Sequence, residues 1–280
     1  MKTKYFLIML MMTPQILLCQ EPDSASAIFS LREAERSFAK SSVMNGRRDA
    51  FVEFLADKSI IFTDKWITDA KEFWIRHSPS QTILKWEPEF MCISNSHDFG
   101  ISTGPWESQE YRPNTKPLAT GYFLSVWKKQ EGEWKVALDA GIQSPAPSKV
   151  HDFTFIPEND IKKVTDSVVN SEGPEITEMK MLEAWKQNHS VQVYSSFLID
   201  NARMMRPGSL PSSEKDLKSK WIDSNKYLLW KTAGSGSSAT GDLGFTYGYT
   251  ENPGGNYVRI WTKDNKGYWK ILIDMMNPGQ

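Results

Sequence analysis

The chain has 280 residues, a formal net charge of −1 and two cysteines. A nearly neutral chain lacks the basic field that general binding to nucleic-acid phosphates requires, so that class of function is excluded. Hydrophobic residues make up 40% of the chain and aromatic residues 12%, which is enough apolar material for real cores. No apolar run after the N-terminal segment is long enough to span a membrane.

The first 19 residues have the pattern of an export signal. Lys2 and Lys4 precede an almost entirely apolar stretch from Tyr5 to Leu18, and a polar stretch follows. The apolar stretch is too short for a membrane helix and is typical of a signal that is removed, which predicts a secreted or periplasmic protein. Cys19 leaves an alternative open, a lipid anchor on this cysteine, although Leu18 stands where a lipoprotein signal has a small residue.

Two helices are predicted at the start of the first half. Apolar positions recur at spacings of three and four, which places them along one face of a helix. The members of this stripe are Ile28, Leu31, Ala34, Glu35, Phe38 and Ala39. A second short helix is predicted over residues 69–76.

Strands dominate the rest of the first half. Residues 90–93 form an apolar strand in which Cys92 is interpreted as a small core residue and not as a nucleophile. Residues 122–128 and 134–142 alternate between apolar faces around a turn that contains Gly132, which predicts a hairpin. Helices followed by an antiparallel meander indicate the α+β class.

Four sequence blocks of the first half recur in the same order in the second half. Residues 54–62 correspond to 197–205, 98–104 to 242–248, 121–127 to 255–261, and 134–139 to 269–274. Helices over 174–186 and 214–224 and a turn at 264–267 complete the second copy. The predicted organisation is a signal peptide at 1–19, a first domain at 24–143, a linker at 144–173 and a second domain at 174–280. Alternating apolar residues near Phe155 indicate that part of the linker packs on a domain.

One glycine-rich segment, residues 234–238, looks superficially like a phosphate-binding loop. It lacks the preceding strand and following helix that a phosphate cradle needs, so it is predicted to be a flexible turn.

Residues 84–90, 98–106, 121–127 and 134–141 resemble the nuclear transport factor 2-like superfamily, in particular its SnoaL-like branch. The resemblance covers nearly all of the first domain and is weaker in the second. It implies a curved antiparallel sheet wrapped around helices, forming a cone with a pocket at its open end. It also implies pairing through the sheets, either internally between the two domains or in a homodimer. It is nearly silent on activity, because this fold hosts isomerases, cyclases, dehydratases and binding modules.

A SnoaL-like enzyme would need an acid or base inside the cone, because burial raises the pKa of a carboxylate toward the working pH. Asp139 interrupts an apolar strand, and Asp274 takes the same place in the second copy. The alternative role for Asp139 is structural, as a strand-end carboxylate that accepts hydrogen bonds. Glu89 is the second candidate base, but Glu87 and Glu89 would share one strand face and would be ordinary surface charges if that face is solvated.

The remaining candidates are walls of the two expected pockets. These ligand-binding candidates are Trp86, Trp106, Tyr122, Trp230, Tyr247 and Asp274. No His or Cys pair has metal-ligand spacing, so neither a metal nor a cofactor is expected. Three functions stay open: binding of a small apolar or amphipathic ligand, proton-transfer catalysis by Asp139 or Glu89, and a purely structural or interaction role.

Overall fold

The structure is a computed structural model that describes residues 24–62, 66–111, 116–148, 154–155, 172–224, 229–251 and 255–277. The first domain contains α1 (Ser24–Asn45), α2 (Arg47–Phe54), β1 (Leu55–Phe62), β2 (Trp66–Thr68), α3 (Ala70–Arg76), β3 (Thr82–Trp86), β4 (Phe90–Ile93), β5 (Phe99–Glu110), β6 (Ala119–Gln130) and β7 (Glu133–Gln143). Strand β8 (Thr154–Phe155) follows. The second domain contains α4 (Pro174–Gln187), α5 (Val191–Ser195), β9 (Leu198–Met205), α6 (Lys215–Ser224), β10 (Trp230–Ser237), β11 (Leu243–Thr250), β12 (Gly255–Lys263) and β13 (Trp269–Asn277).

Each domain has its own sheet, and the two sheets share one topology. The first sheet has the order β2-β1-β7-β6-β5-β4-β8, with β3 also paired to β5, and the second has the order β10-β11-β12-β13-β9. The predicted α+β class is confirmed. The sheets are antiparallel as predicted, except that β1 runs parallel to β7, β9 runs parallel to β13 and β8 runs parallel to β4. Before β1 and before β9 the chain forms helices that cross the concave face of the sheet. The strand that follows therefore lies beside the last strand of the hairpin and runs in the same direction.

The first helix of each domain covers the concave face of its sheet. In α1 the predicted stripe is confirmed, since Ile28, Leu31 and Phe38 are buried. Glu35 lies in the same stripe and is also fully buried. Helix α4 begins at Pro174, at a position where the missing N–H costs nothing. We call the space between the concave face and these helices the cone of each domain.

The hairpins form where the sequence predicts them. In the β6–β7 turn both central residues have positive φ, 54° at Glu131 and 85° at Gly132, which matches the twist of the flanking strands. In the β12–β13 turn the Asp264 Oδ1 atom accepts hydrogen bonds from the backbone N–H groups of Lys266 (2.9 Å) and Tyr268 (3.0 Å). Both turns fix the register of the strands that carry the candidate carboxylates.

Both hairpins contain a bulge at the equivalent place. The register shifts between Val126 and Trp127 in the first domain and between Ile260 and Trp261 in the second. A bulge increases local twist and bends the strand. The shared position therefore gives both sheets curvature close to Asp139 and Asp274.

The glycine-rich segment at 234–238 is not a flexible turn, and that prediction is wrong. Residues up to Ser237 belong to β10, which pairs with β11. A Cβ atom on Gly234 would lie 2.5 Å from the Tyr247 hydroxyl, and one on Gly236 would lie 2.5 Å from the Phe245 ring. The glycines are thus required by large rings on the neighbouring strand.

The two sheets pack against each other through their convex faces. Phe99 and Phe245 stack with ring centroids 6.0 Å apart, and Met205 joins the same apolar cluster. Cys92 is fully buried in this cluster, as predicted, and burial raises the pKa of its thiol. The cluster supplies one continuous apolar layer between the domains.

Several predicted features fall partly or wholly outside the described residues. The signal peptide at 1–19 and Cys19 lie outside them, as does most of the linker. In the described part of the linker, Phe155 of β8 is in register with Met91 of β4. Among the described residues no helix has the length and apolar character needed to cross a membrane.

Candidate functional site

A cavity of about 700 Å³ lies in the cone of the first domain. Aromatic rings form part of its wall, contributed by Phe38, Phe51, Phe62, Trp86, Trp106 and Phe123. The second domain completes the wall with Pro207, Asn256 and Asn277. Small-molecule sites typically have volumes of roughly 300–1,000 Å³, so the cavity has the size of a ligand pocket.

Asp139 lies on β7 and contributes a carboxylate to this cavity. Its Oδ1 atom accepts a hydrogen bond from the Ser125 hydroxyl on β6 at 2.8 Å. Burial raises the pKa of Asp139 to about 7, against the lowering effect of Ser125, and the charge of Glu35 adds to the rise. A carboxyl group with this pKa can both accept and donate a proton near neutral pH.

Glu35 supports the cavity wall from the helix side. Its carboxylate accepts hydrogen bonds from the indole N–H groups of Trp86 (2.6 Å) and Trp127 (2.9 Å), and from the Ser102 hydroxyl. Burial raises its pKa in spite of these three donors. Glu35 therefore holds Trp86 in position at the cavity.

Arg47, the first residue of α2, brings a cation to the cavity. Its guanidinium carbon lies 5.4 Å from the centre of the Trp74 ring. Its Nε atom is buried and has no hydrogen-bond partner among the described residues. Burial lowers the pKa of Arg47.

The equivalent space in the second domain is filled by Arg259. Arg259 occupies the position of Ser125 and lies opposite Asp274, as Ser125 lies opposite Asp139. Its guanidinium forms an ion pair with Glu178 of α4, the counterpart of Glu35, and its Nε atom lies 3.5 Å from the Asp274 Oδ1 atom. All three charged side chains are fully buried.

The rings around Arg259 correspond to the walls of the first cavity. The guanidinium carbon lies 5.7 Å from the ring centre of Tyr194, 5.1 Å from that of Trp230 and 4.2 Å from that of Tyr257. The matching residues of the first domain are Phe51, Trp86 and Phe123. The same ring cage is thus open in the first domain and occupied by a side chain in the second.

The two equivalent aspartates are both buried, but their pKa values are shifted in opposite directions. Burial alone would raise the pKa of Asp274, but the charges of Arg206 and Arg259 hold it below its ordinary value. Arg206 donates to the Asp274 Oδ2 atom at 2.5 Å, and the Tyr194 hydroxyl donates to the same oxygen at 2.8 Å. Asp274 is therefore an ionised carboxylate whose Oδ2 atom accepts two hydrogen bonds and whose Oδ1 atom faces the Arg259 guanidinium.

Both halves of the chain close a curved sheet over a leading helix, and in each half a buried glutamate of that helix contacts the equivalent strand, β6 in the first domain and β12 in the second. Each half has a nuclear transport factor 2-like fold.

Solved structures of nuclear transport factor 2-like and cystatin-like proteins are similar to about two fifths of the chain. A protein of unknown function from Shewanella oneidensis is 12% identical with a TM-score of 0.34, over 41% of this chain and 97% of that one. One from Nostoc punctiforme is 10% identical with a TM-score of 0.35, over 46% and 98%. A nuclear transport factor 2-like protein with a cystatin-like fold from Novosphingobium aromaticivorans is 7% identical with a TM-score of 0.36, over 44% of this chain and 86% of that one. No family profile and no curated protein matches the chain.

The candidate residues of the first domain divide between two cavities. Trp86, Trp106 and Asp139 line the cone cavity. Glu89 and Tyr122 instead line a cavity of about 350 Å³ at the boundary with the second domain.

Glu89 is buried and its Oε1 atom lies 2.8 Å from Nη1 of Arg203, a residue of the second domain. The Tyr122 hydroxyl lies 3.4 Å from the other carboxylate oxygen, and burial together with the Glu89 charge raises the pKa of Tyr122 to about 12. Residues 87–89 lie between β3 and β4, so the prediction that Glu87 and Glu89 share a strand face is wrong. Glu87 is half-exposed and pairs with Arg36 at 2.6 Å.

The candidate residues of the second domain lie in packed surroundings. Trp230 and Asp274 belong to the ring cage and ion-pair network around Arg259. Tyr247 belongs to the apolar cluster between the sheets, 6.2 Å from the Phe62 ring. The described residues contain no group of three or more His, Cys, Asp or Glu that could hold a metal ion.

Three residues at or near the two cones were not predicted as site residues from the sequence. Glu35 carried a signal, since a charge inside an apolar helix stripe is costly to bury without a partner. Arg259 carried another, as a charge between Val258 and Ile260 where the first copy has a serine. Arg47 carried none, because Arg47 and Arg48 are adjacent and only the fold separates their surroundings.

Proposed function

We propose that the first domain binds one small amphipathic organic molecule in its cone, and that the second domain is a structural partner. The observation that carries this proposal is the exchange of Ser125 for Arg259 at equivalent positions. The exchange leaves an aromatic cage accessible in one domain and fills it in the other. The aromatic walls supply apolar contact, and Asp139 and Arg47 supply polar contacts that would orient the molecule.

Native mass spectrometry of the purified protein tests this proposal. The wild-type chain is expected to retain one small molecule, seen as a discrete mass excess that disappears on denaturation. Ser125→Arg is the matched control, because the new side chain would lie between Glu35 and Asp139 as Arg259 lies between Glu178 and Asp274. An equal mass excess in both proteins would contradict the proposal.

A second candidate function is proton-transfer catalysis in the same cavity, with Asp139 as the base. The supporting observation is that the pKa of Asp139 is raised to about 7 in a cavity with aromatic walls. Proton transfer is most efficient when the pKa of the catalytic group is near the operating pH. Glu89, the other candidate base, is paired with Arg203 outside this cavity, so the geometry favours Asp139.

A benzisoxazole probe tests this candidate without knowledge of the natural substrate. Such a probe loses a ring proton to a base while its N–O bond breaks, and a coloured phenolate forms. The rate with the wild-type protein is expected to rise with pH and to level off above about pH 7, because the ionised carboxylate is the base. Asp139→Asn should reduce the rate to that of Ser125→Arg, and an unchanged rate would exclude Asp139 as the base.

We also propose that the chain is exported, on the basis of the charged start and apolar stretch that end at Leu18. The alternative is an anchor through a lipid on Cys19. Expression of the full chain followed by intact-mass measurement separates the two, since a lipid adds a defined mass that Cys19→Ser would abolish. A chain that keeps its first 19 residues would contradict export with cleavage.

A further inference from the structure

We infer that the ligand of the first domain carries an anionic group, such as a carboxylate, sulfonate or phosphate, which Arg47 binds. This inference rests on the proposed function, because it names the class of molecule that the cone cavity would take.

The position of Arg47 is set by the backbone at the start of α2. Gly46, with φ of 88°, ends the connection from α1 and allows the chain to turn directly into α2. Arg47 follows as the first helical residue and lines the cavity. Its guanidinium lies over the Trp74 ring, 5.4 Å from the ring centre, so that ring holds the cation in place.

Arg47 lacks the partner that comparable arginines have. Arg48, its neighbour, pairs with Asp49 at 2.7 Å. Arg203 and Arg206 likewise pair with carboxylates, at 2.8 and 2.5 Å. The Nε atom of Arg47 is buried without a hydrogen bond, as is that of Arg206, but Arg47 differs from these arginines in that it forms no ion pair within the described part of the chain. A partly buried cation without a counter-charge is costly, and an anionic ligand would relieve that cost.

The second domain shows what the absent partner would be. There the cation inside the cage, Arg259, meets the carboxylates of Glu178 and Asp274 from its own chain. In the first cavity the carboxylate among the described lining residues is Asp139, which pairs with Ser125 instead. The counter-charge for Arg47 would therefore come from the ligand, while the rings of Phe51 and Phe123 contact its apolar body.

Two fluorescent probes that differ only in charge test this inference on the whole protein. Anilinonaphthalene sulfonate carries one anionic group, and phenylnaphthylamine has the same ring skeleton without it. The wild-type protein should bind both, and Arg47→Gln should weaken binding of the sulfonate by about tenfold or more, the range for a lost charge-assisted hydrogen bond, while binding of the neutral probe changes little. Arg48→Gln removes an adjacent charge that already has a partner, and should leave both affinities unchanged.

The outcomes separate this inference from the proposed function. If neither probe binds the wild-type protein, or if Ser125→Arg leaves binding of both unchanged, the proposed function fails. Suppose instead that both probes bind the wild-type protein, that Ser125→Arg weakens both, and that Arg47→Gln weakens both equally or neither. The proposed function then stands, and an anionic ligand is excluded. If Arg47→Gln is poorly folded, Arg47→Lys decides, because it keeps the charge and should keep the preference for the sulfonate.

Discussion

Asp98 and Asp242 each accept a hydrogen bond from the backbone of the opposite domain. The Asp98 Oδ2 atom accepts from the N–H of Ala239 at 3.2 Å, and the Asp242 Oδ2 atom accepts from the N–H of Asn95 at 2.9 Å. Asp98 corresponds to Asp242, and Asn95 corresponds to Ala239, so the same contact occurs twice across the boundary. Such a reciprocal pair of contacts is the pattern of a twofold symmetric interface. The two domains of one chain therefore pair as two copies would in a symmetric dimer.

This reciprocal contact predicts matched losses of stability. Asp98→Ala and Asp242→Ala should each lower the free energy of unfolding by about 1–3 kcal/mol, because each leaves backbone and hydroxyl donors without an acceptor. The loss should be larger for Asp242, which is buried, than for the partly exposed Asp98. Urea denaturation measures both, with the exposed Asp57→Ala as the control. Losses no larger than that of the control would show that the contact contributes nothing.

Replacement of Arg259 should destabilise the second domain strongly. Arg259→Met leaves Glu178 buried without its cation, which costs about 3–5 kcal/mol. Adding Glu178→Gln should restore part of that loss, because the uncompensated charge is then gone. Thermal denaturation of the single and double variants checks this. A double variant that is less stable than Arg259→Met would mean that lost packing, and not the unpaired charge, causes the effect.

Asp139→Asn should change stability in a pH-dependent way. The pKa of Asp139 is raised from 3.8 to about 7 on folding, so the folded state binds the proton more tightly, and stability falls as pH rises between these values. Asparagine cannot ionise and can still accept from the Ser125 hydroxyl. The variant should therefore equal the wild type near pH 4 and exceed it by about 2 kcal/mol near pH 8. A lower melting temperature for the variant at pH 8 would instead assign Asp139 a structural role.

The side chain of Tyr247 leaves room only for glycine at position 234. In Gly234→Val the new Cβ atom would meet the Tyr247 hydroxyl and ring at 2.5–2.7 Å, and overpacking of this kind costs about 1–3 kcal/mol. Ser235→Val, on the exposed side of the same strand, is the control and should change stability little, since β-branched residues suit strands. Equal stability of the two variants in urea denaturation would show that β10 packs less closely than the structure indicates.

The fold could be predicted because its signals are local and occur twice. The repeat of residues 121–127 and 134–139 fixes both hairpins, and turn residues such as Gly132 fix their register. The flexible-turn prediction at 234–238 failed because glycine there serves contacts with rings on a strand distant in sequence. The parallel edge strands were missed because pairing of β1 with β7 joins segments about eighty residues apart.

The site could be predicted only in part, because its chemistry depends on one exchanged residue. Asp139 and Asp274 look identical in sequence, and both were predicted to be pocket residues. The residue across the hairpin decides the state of each aspartate. Ser125 leaves Asp139 with a raised pKa, whereas the Arg259 side chain extends to Asp274 and helps to lower the pKa of that carboxylate. Local sequence patterns do not predict where the guanidinium of Arg259 lies.

We propose one ligand site per chain, in the first domain, because Arg259 occupies the cone of the second domain. A fluorescence titration with phenylnaphthylamine at protein concentrations well above the dissociation constant measures the number of sites directly. We expect the titration to give one bound probe molecule per wild-type chain and none per Ser125→Arg chain. Two molecules per wild-type chain, or one that persists in Ser125→Arg, would contradict it.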